Sequence, residues 1–342
     1  MNDSAKPAYN KPFSHIYVES AAKDHPRAKR LLARFPDAVV IECRDYKEIF
    51  SRPRQRPAVQ RNSQALLLAR SKQPAIHPGA AVCQSFGNEH FYYTSNVMNC
   101  VFDCEYCYLQ GMYPSSHLVI FVNLEDTFAE IERMLAAHPM YVSVSYDTDL
   151  LAIEALTGFL ADWCAFAAEH PTLLLEVRTK AAASGVLSAL PVLPNIIWAF
   201  TLSPQTVVQR YEHRTPPLSA RLRTAAKALS EGRKIRLCFD PLLRIPDFRT
   251  HYRELFRETF ATLPPQGITD VSLGVFRIGR DYLKAMRKNR PCDVACYPYE
   301  LSGGVYHYGA EKTAELLGFA KEELKRYLPE EKLFLWESPE NP

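Results

Sequence analysis

The sequence predicts an α/β chain whose main body is a partial (β/α)6 barrel of the TIM type. Three observations carry that reading. From residue 91 onward, apolar runs of strand length alternate with stretches of helical length, as in a parallel sheet crossed by helices. About six such repeats are present, enough for a barrel left open on one side. Polar residues gather just after the runs, where the loops of such a barrel converge on a cavity.

In chain order, residues 15–19 and 38–42 read as short buried strands flanking a basic helix over 25–35, which makes a small βαβ unit. Residues 50–90 are rich in Pro, Arg, Gln and Ser, show no sustained period beyond 65–69, and read as a connector. The barrel strands are FYYTSNV (91–97), LVIFVN (118–123), YVSVSY (141–146), LLLEVRT (173–179), IIWAFTL (196–202), IRLCFD (235–240) and ITDVSLGVF (268–276). Helices fall between them at 125–137, 150–169, 204–211, 217–231, 249–262 and 279–289. The polar residues after the strands are Tyr146, Asp147, Thr148 and Asp149, then Thr179 and Lys180, Thr201 and Ser203, and Asp240. The segment YPYELSGGVYHY (297–308), with Gly303-Gly304 between two arms, reads as a β-hairpin, and a charged helix follows at 310–328. The chain therefore divides into an N-terminal βαβ unit with connector (1–90), the barrel (91–290), and a C-terminal hairpin with helix (291–342).

Composition restricts the function classes. A 342-residue chain that is 47% hydrophobic and 23% charged has what an enzyme-sized core requires. A net charge of +3 is too small to diagnose a polyanionic partner. The basic clusters at 27–34 and 52–61 read as solvated faces or as contacts to a polyanion. No stretch approaches the ~20 apolar residues of a membrane span, and the N-terminus lacks the order of a secretion signal, so the expectation is a cytoplasmic protein. Nine cysteines, three of them within eight residues, read as reduced thiols serving a metal.

Those three are Cys100, Cys104 and Cys107, spaced C-x3-C-x2-C in the loop after the first barrel strand. A [4Fe–4S] cube takes four ligands, so three thiolates leave one iron open. That iron can take the amino and carboxylate groups of S-adenosylmethionine, and one electron from the cluster then cleaves the sulfonium to a 5′-deoxyadenosyl radical. A structural zinc site is the competing reading. Such sites are closed by four protein ligands, however, and only His117 follows nearby, without a partner.

The segment CVFDCEYCYLQG (100–111), followed by VIFVNLEDTF (119–128), resembles the cluster loop of spore photoproduct lyases. A weaker similarity continues through TDLLAIEALT (148–157), VRTK (177–180), AFTLS (199–203), RYEHRTPPLSARL (210–222) and the terminal hairpin. The resemblance implies a radical S-adenosylmethionine lyase that splits the methylene-bridged thymine dimer of ultraviolet-damaged DNA. It implies an electron donor such as flavodoxin or ferredoxin, and Cys100, Cys104 and Cys107 as cluster ligands. By motif position, Tyr106 and Tyr108 match the tyrosines flanking the third cysteine, with Tyr108 and Tyr106 implied in the hydrogen relay. Tyr106, Thr148, Asp149, Lys180, Thr201 and Ser203 match cofactor contacts. Lys180 can meet the methionine carboxylate and hydroxyls the ribose. Lys180 also reads as a surface ion pair, and the two tyrosines as packing.

Two departures from the family pattern stand out. Where the family places its hydrogen-donating cysteine, this chain has Tyr146, a phenol that holds its hydrogen more tightly than a thiol. Cys238 and the Cys292/Cys296 pair are candidate substitutes, and equally ordinary buried thiols. The hairpin, basic in the family, here carries Glu300 and Leu301; Tyr297, Tyr299, Glu300, Tyr306 and Tyr308 are its candidate substrate contacts, the tyrosines by stacking on bases. The alternatives are a radical enzyme acting on another nucleotide, RNA or a small molecule, and a non-catalytic iron–sulfur or zinc protein.

Overall fold

Two main sheets share the chain, and the apolar run at 118–121 belongs to the first rather than to the barrel. The computed structural model describes residues 13–80 and 82–336. A five-stranded sheet runs Val39–Cys43, His15–Glu19, Leu66–Ala69, Leu118–Phe121 and Val97–Met98, with the first four strands parallel and the last antiparallel. Leu66–Ala69 is thus an interior strand within the stretch expected to be a connector, and all four of its residues are buried. Four residues are too few to show a period, and a run buried on both faces gives no alternation, so neither strand announces which sheet it joins. Residue 90 does not separate the two sheets, because 97–98 and 118–121 return to the first.

The barrel sheet runs Leu333–Leu335, Ile268–Val275, Lys234–Leu242, Ile196–Thr201, Leu173–Thr179, Met140–Ser143, Phe91–Thr94 and Ile76–Pro78. Its six successive strands from 91–94 to 268–275 are parallel, which gives the partial (β/α)6 barrel. Leu333–Leu335 adds a parallel strand beyond them, and Ile76–Pro78 an antiparallel one at the other edge. The two edges do not hydrogen-bond to each other. Instead the segment 82–90 crosses the seam: Gln84 Nε2 donates to the Leu335 carbonyl (3.0 Å), Phe86 meets Phe334 edge-on (5.3 Å), and Arg277 Nε donates to the Val82 carbonyl (2.9 Å).

Charges inside this apolar shell are paired, as burial requires. Arg236, fully buried, bridges Glu176 (2.6 Å) and Asp270, donates to Tyr141 Oη (2.6 Å), and stacks on Phe86 at 3.2 Å. Around the barrel, the long helical run expected at 150–169 is two helices, Leu150–Thr157 and Phe159–Glu169. Gly158 breaks it at φ 69°, a left-handed conformation that favours glycine. Glu154 accepts the Leu160 and Ala161 N–H groups at the start of the second helix (2.7 and 3.0 Å). No single described helix is long and apolar enough to cross a membrane.

The hairpin forms as Glu300–Ser302 and Val305–His307, joined by a third strand, Ile278–Gly279. The helix Ala310–Leu324 then packs on the outside of the barrel, ending four residues earlier than expected.

Candidate active site

The cysteine loop is held from several directions before any ligand is considered. Asn99, at φ 70°, donates its side-chain amide to the carbonyls of Ser115 (2.8 Å) and His117 (2.7 Å), fixing where the loop leaves the sheet. The buried Arg61 donates to the Phe102 carbonyl (3.0 Å) and pairs with Asp103 (3.4 Å). Gln110 Nε2 donates to the Cys104 carbonyl (2.5 Å), and the Cys107 N–H closes a turn on the same carbonyl (3.1 Å). Behind the loop, the short helix Leu109–Met112 lies against Arg280–Asn289, with Gly111 facing the Tyr282 backbone.

Cys104 is buried and Cys100 and Cys107 half-buried. Burial pushes the Cys100 thiol up to about 12 and raises Cys104 and Cys107 too, so cationic charge must arrive for all three to ligate as thiolates. Lys180 and Arg61 supply part of it. Among the described residues, no three His, Cys, Asp or Glu side chains are gathered tightly enough to share one metal ion. A tetrahedral zinc, with bonds of about 2.3 Å to sulfur, requires such a gathering, whereas thiolates on separate irons of a cube do not.

The strand ends bring the other expected residues together. Asp149 caps the helix at 150–157 through the Ala152 N–H (3.1 Å) and also accepts from Thr179 Oγ1 (2.8 Å) and the Lys180 N–H (2.7 Å). It ties two strands together and positions Lys180. The Lys180 ammonium stands 5.6 Å over the Tyr106 ring, with no carboxylate in ion-pair reach among the described residues, so it is not the surface ion pair. Burial alone would lower its pKa, but Cys104 and Glu212 outweigh that and raise it. Thr148 Oγ1 is buried without a hydrogen-bond partner, and so is Thr94 Oγ1 one strand away. An unpaired ammonium and an orphaned hydroxyl beside the cysteine loop fit the carboxylate and hydroxyl groups of S-adenosylmethionine.

Two carboxylates organise the tyrosines: Glu212, which sequence reasoning passed over, and Asp147, read there only as a polar residue at a strand end. Buried Glu212 accepts from Tyr106 Oη and from Ser203 Oγ (2.7 Å) and pairs with Arg221, which also donates to the Thr201 carbonyl (3.2 Å). Burial would raise the Glu212 pKa, but Arg221 and Lys180 hold it below its usual value. Glu212 also enters the loop directly, since Glu212–His213 pairs antiparallel with Asp103–Cys104. Asp147 accepts from Ser95 Oγ (2.5 Å), Tyr113 Oη (2.8 Å) and Tyr108 Oη (3.2 Å), and Tyr108 also donates to the Tyr146 carbonyl (2.7 Å). Tyr146 stacks on Tyr93 at 4.0 Å, and its hydroxyl lies 3.4 Å from Cys83 Sγ. Burial first, then neighbouring acidic groups, raises the pKa values of Tyr106, Tyr108 and Tyr146 and keeps them neutral phenols.

The model of the spore photoproduct lyase family matches residues 88–292. The chain belongs to the spore photoproduct lyase family. It is 25% identical over 177 residues to the spore photoproduct lyase of Geobacillus sp. (strain Y412MC61), covering 51% of this chain and about half (52%) of that protein. To the spore photoproduct lyase of Clostridium acetobutylicum it is 22% identical over 72% of this chain and 73% of the relative. A solved spore photoproduct lyase double mutant, with bound AdoMet and dinucleoside spore photoproduct, superposes with a TM-score of 0.76 at 21% identity, over 96% of this chain and 99% of that one. Family membership makes this chain a radical S-adenosylmethionine enzyme with a [4Fe–4S] cluster.

Against the family expectation, the candidate donor cysteines and the hairpin sit as follows. Cys238 is fully buried in a barrel strand and burial pushes its thiol up to about 12. Cys292 caps the short helix Asp293–Cys296 and Cys296 is exposed; neither touches Tyr146. Cys83 is the thiol that does, and it lies in the stretch whose composition carried no signal. In the hairpin, Tyr299 and Tyr308 are buried in a cluster with Tyr297 and Phe276, and Tyr308 Oη accepts the Arg244 N–H (3.0 Å). They are core residues and present no face to a base. Tyr297 and Tyr306 are half-buried and Glu300 exposed, with Arg287 at 5.8 Å from the Tyr306 ring.

Proposed function

We propose that the chain repairs the methylene-bridged thymine dimer of ultraviolet-damaged DNA. The observation that carries the reading is the meeting, at the C-terminal mouth of the barrel, of the Cys100–Cys104–Cys107 loop with an unpaired Lys180 and the orphaned Thr148 hydroxyl. When bound, the cluster and S-adenosylmethionine supply a hydrogen-abstracting 5′-deoxyadenosyl radical. Cys100, Cys104 and Cys107 hold the cluster, and the Lys180 ammonium takes the methionine carboxylate. Thr148, Thr201 and Ser203 offer hydroxyls, while Asp149 holds Lys180 in place and Glu212 holds Tyr106. Tyr108 and Tyr146 stay neutral and carry transferable hydrogen beside the reacting centre. Tyr297, Tyr306 and Glu300 form the rim that a nucleic-acid strand would meet, and a flavodoxin- or ferredoxin-type protein in the cytoplasm would reduce the cluster.

Anaerobically reconstituted protein tests this. Cleavage of S-adenosylmethionine should rise, and thymine should appear, when dinucleoside spore photoproduct is added. Equal cleavage with and without it would reject the substrate. A second reading, a different nucleotide or a small molecule, is favoured by the exposed acidic Glu300. Weak salt dependence of binding to dimer-containing DNA would support that reading instead, because phosphate contacts lose affinity steeply as salt rises.

A further inference from the structure

We propose that Cys83 is the hydrogen donor that quenches the product radical, with Tyr146 as its immediate hydrogen-bonded partner. This inference rests on the substrate reading above. Its basis is where the thiol stands. Where the family pattern has its donor cysteine, this chain has a phenol at residue 146, and the phenol's hydroxyl lies 3.4 Å from Cys83 Sγ. A thiol is thereby returned to the neighbourhood of residue 146 from a different part of the chain.

That placement is built rather than incidental. Cys83 lies on the segment that crosses the barrel seam, and both of its neighbours are clamped. The Val82 carbonyl accepts from Arg277 Nε (2.9 Å), and Arg277 is itself locked on Asp240 at the end of a barrel strand (2.8 Å). Gln84 is tied to Leu335 on the opposite edge (3.0 Å). Tyr146 is fixed just as firmly, by the Tyr93 ring on one side and by Tyr108 donating to its carbonyl. Tyr108, next to the cluster ligand Cys107, lies 5.8 Å from Tyr146 between ring centroids. Cys83, Tyr146 and Tyr108 therefore form a continuous row from the seam to the cysteine loop. Cys83 is half-buried and borders an open cleft of about 430 Å³ formed by its own segment and the strand that follows, among them Gly79, Ser85, Asn88 and Tyr92, so the thiol is open to small reagents.

The other thiols lack this position. Cys100, Cys104 and Cys107 hold the cluster, Cys43 and Cys164 are buried in elements outside the barrel mouth, Cys238 is sealed in a strand, and Cys292 and Cys296 sit on another helix.

In the step, the Cys83 S–H bond breaks homolytically and one C–H bond forms on the carbon-centred thymine radical, leaving a thiyl radical on sulfur. Remaking the S–H bond takes a hydrogen atom from Tyr146 Oη and leaves a neutral phenoxyl radical; because the phenol holds its hydrogen more tightly, this transfer runs uphill, and the radical rests mainly on sulfur until a hydrogen atom is passed along the row from Tyr108. Electron and proton move together, so no charge is stranded in a buried site.

The test compares wild-type enzyme with Cys83→Ser and with Cys83→Ser/Tyr146→Cys, given dinucleoside spore photoproduct in D2O. Wild type should release thymine carrying one solvent deuterium. Cys83→Ser should keep S-adenosylmethionine cleavage within about threefold but lower clean thymine about tenfold, with adducts of the reductant in its place. The double variant, with a thiol on residue 146 itself, should restore clean product. In the reconstituted wild-type holoenzyme, dinucleoside spore photoproduct should slow iodoacetamide alkylation of Cys83 about fivefold and leave the exposed Cys296 unaffected, and equal alkylation of Cys83 with and without it would overturn the donor assignment. If wild type repairs but Cys83→Ser gives the same yield and deuterium content, the donor assignment is wrong and the substrate reading stands. It is equally wrong if Cys83→Ser abolishes cofactor cleavage, which would mark a structural role. If wild type leaves the dinucleoside intact, the substrate reading falls and the donor assignment with it.

Discussion

Lys180 shows how a side chain can be legible in type while its partners stay open. Its type and its place after a strand are visible in the sequence, but whether a carboxylate neutralises it depends on which loops surround it. Asp149, six residues past the end of its own strand, takes the Lys180 N–H and leaves the ammonium free. Lys180→Met should preserve the visible spectrum of the reconstituted cluster while weakening S-adenosylmethionine binding about tenfold or more, roughly 1.4 kcal/mol, by equilibrium dialysis. An unchanged affinity would place the methionine carboxylate elsewhere. The cysteines and flanking tyrosines could be read from spacing because ligands to one cluster come from one short loop. Glu212, Asp147 and Cys83 could not, since each acts through a partner far off in sequence: Tyr106 is 106 residues from Glu212 and Tyr146 is 63 from Cys83.

Elements show the same division between local pattern and tertiary choice. The helices at 124–135, 218–230 and 248–262 follow their apolar periodicity and lie within two residues of expectation. The break at Gly158 and the short helix at 109–112 depend instead on contacts. A Cβ on Gly111 would stand 2.1 Å from the Tyr282 carbonyl oxygen, so Gly111→Ala must push the helix at 280–289 off the cysteine loop. We expect a loss of about 1–3 kcal/mol in urea unfolding, with lower iron content per chain after reconstitution. Glu154, at the break, carries a pH signature. Burial raises its carboxyl to about 7, with the Leu160 and Ala161 N–H groups pulling the other way. A folded pKa above the unfolded one stabilises below about pH 4.5, and that stability is lost as pH rises through 7. Wild type should therefore lose up to about 3 kcal/mol from this group between pH 4.5 and 7.5, and Glu154→Gln should show a flatter urea-midpoint profile over that window. Parallel profiles would mean that Glu154 is ionised throughout.

For the molecule as a whole, the alternation of runs was enough to specify a six-stranded parallel barrel, whereas the membership of 118–121 was not. A strand buried on both faces looks alike in any sheet, and only pairing with Leu66–Ala69 decides it. Polar residues on the inner wall were likewise invisible as a set. Arg236, Glu176, Asp270 and Tyr141 come from four strands and meet only when the barrel forms. Arg236→Met should cost about 3–5 kcal/mol in chemical unfolding, because it leaves Glu176 and Asp270 buried without their cation. A cost below about 1 kcal/mol would show that water reaches them. The crossing of the seam by 82–90 also sets an order of events. Gln84 finds its carbonyl 251 residues later, on a strand at the far end of the barrel. During synthesis from the N-terminus, the cysteine loop and six strands leave the ribosome well before that partner exists. The side wall of the reaction chamber, with Cys83 in it, is therefore the last part to be assembled, and a chain stopped short of Leu335 would present its radical-generating loop in a chamber still open to solvent.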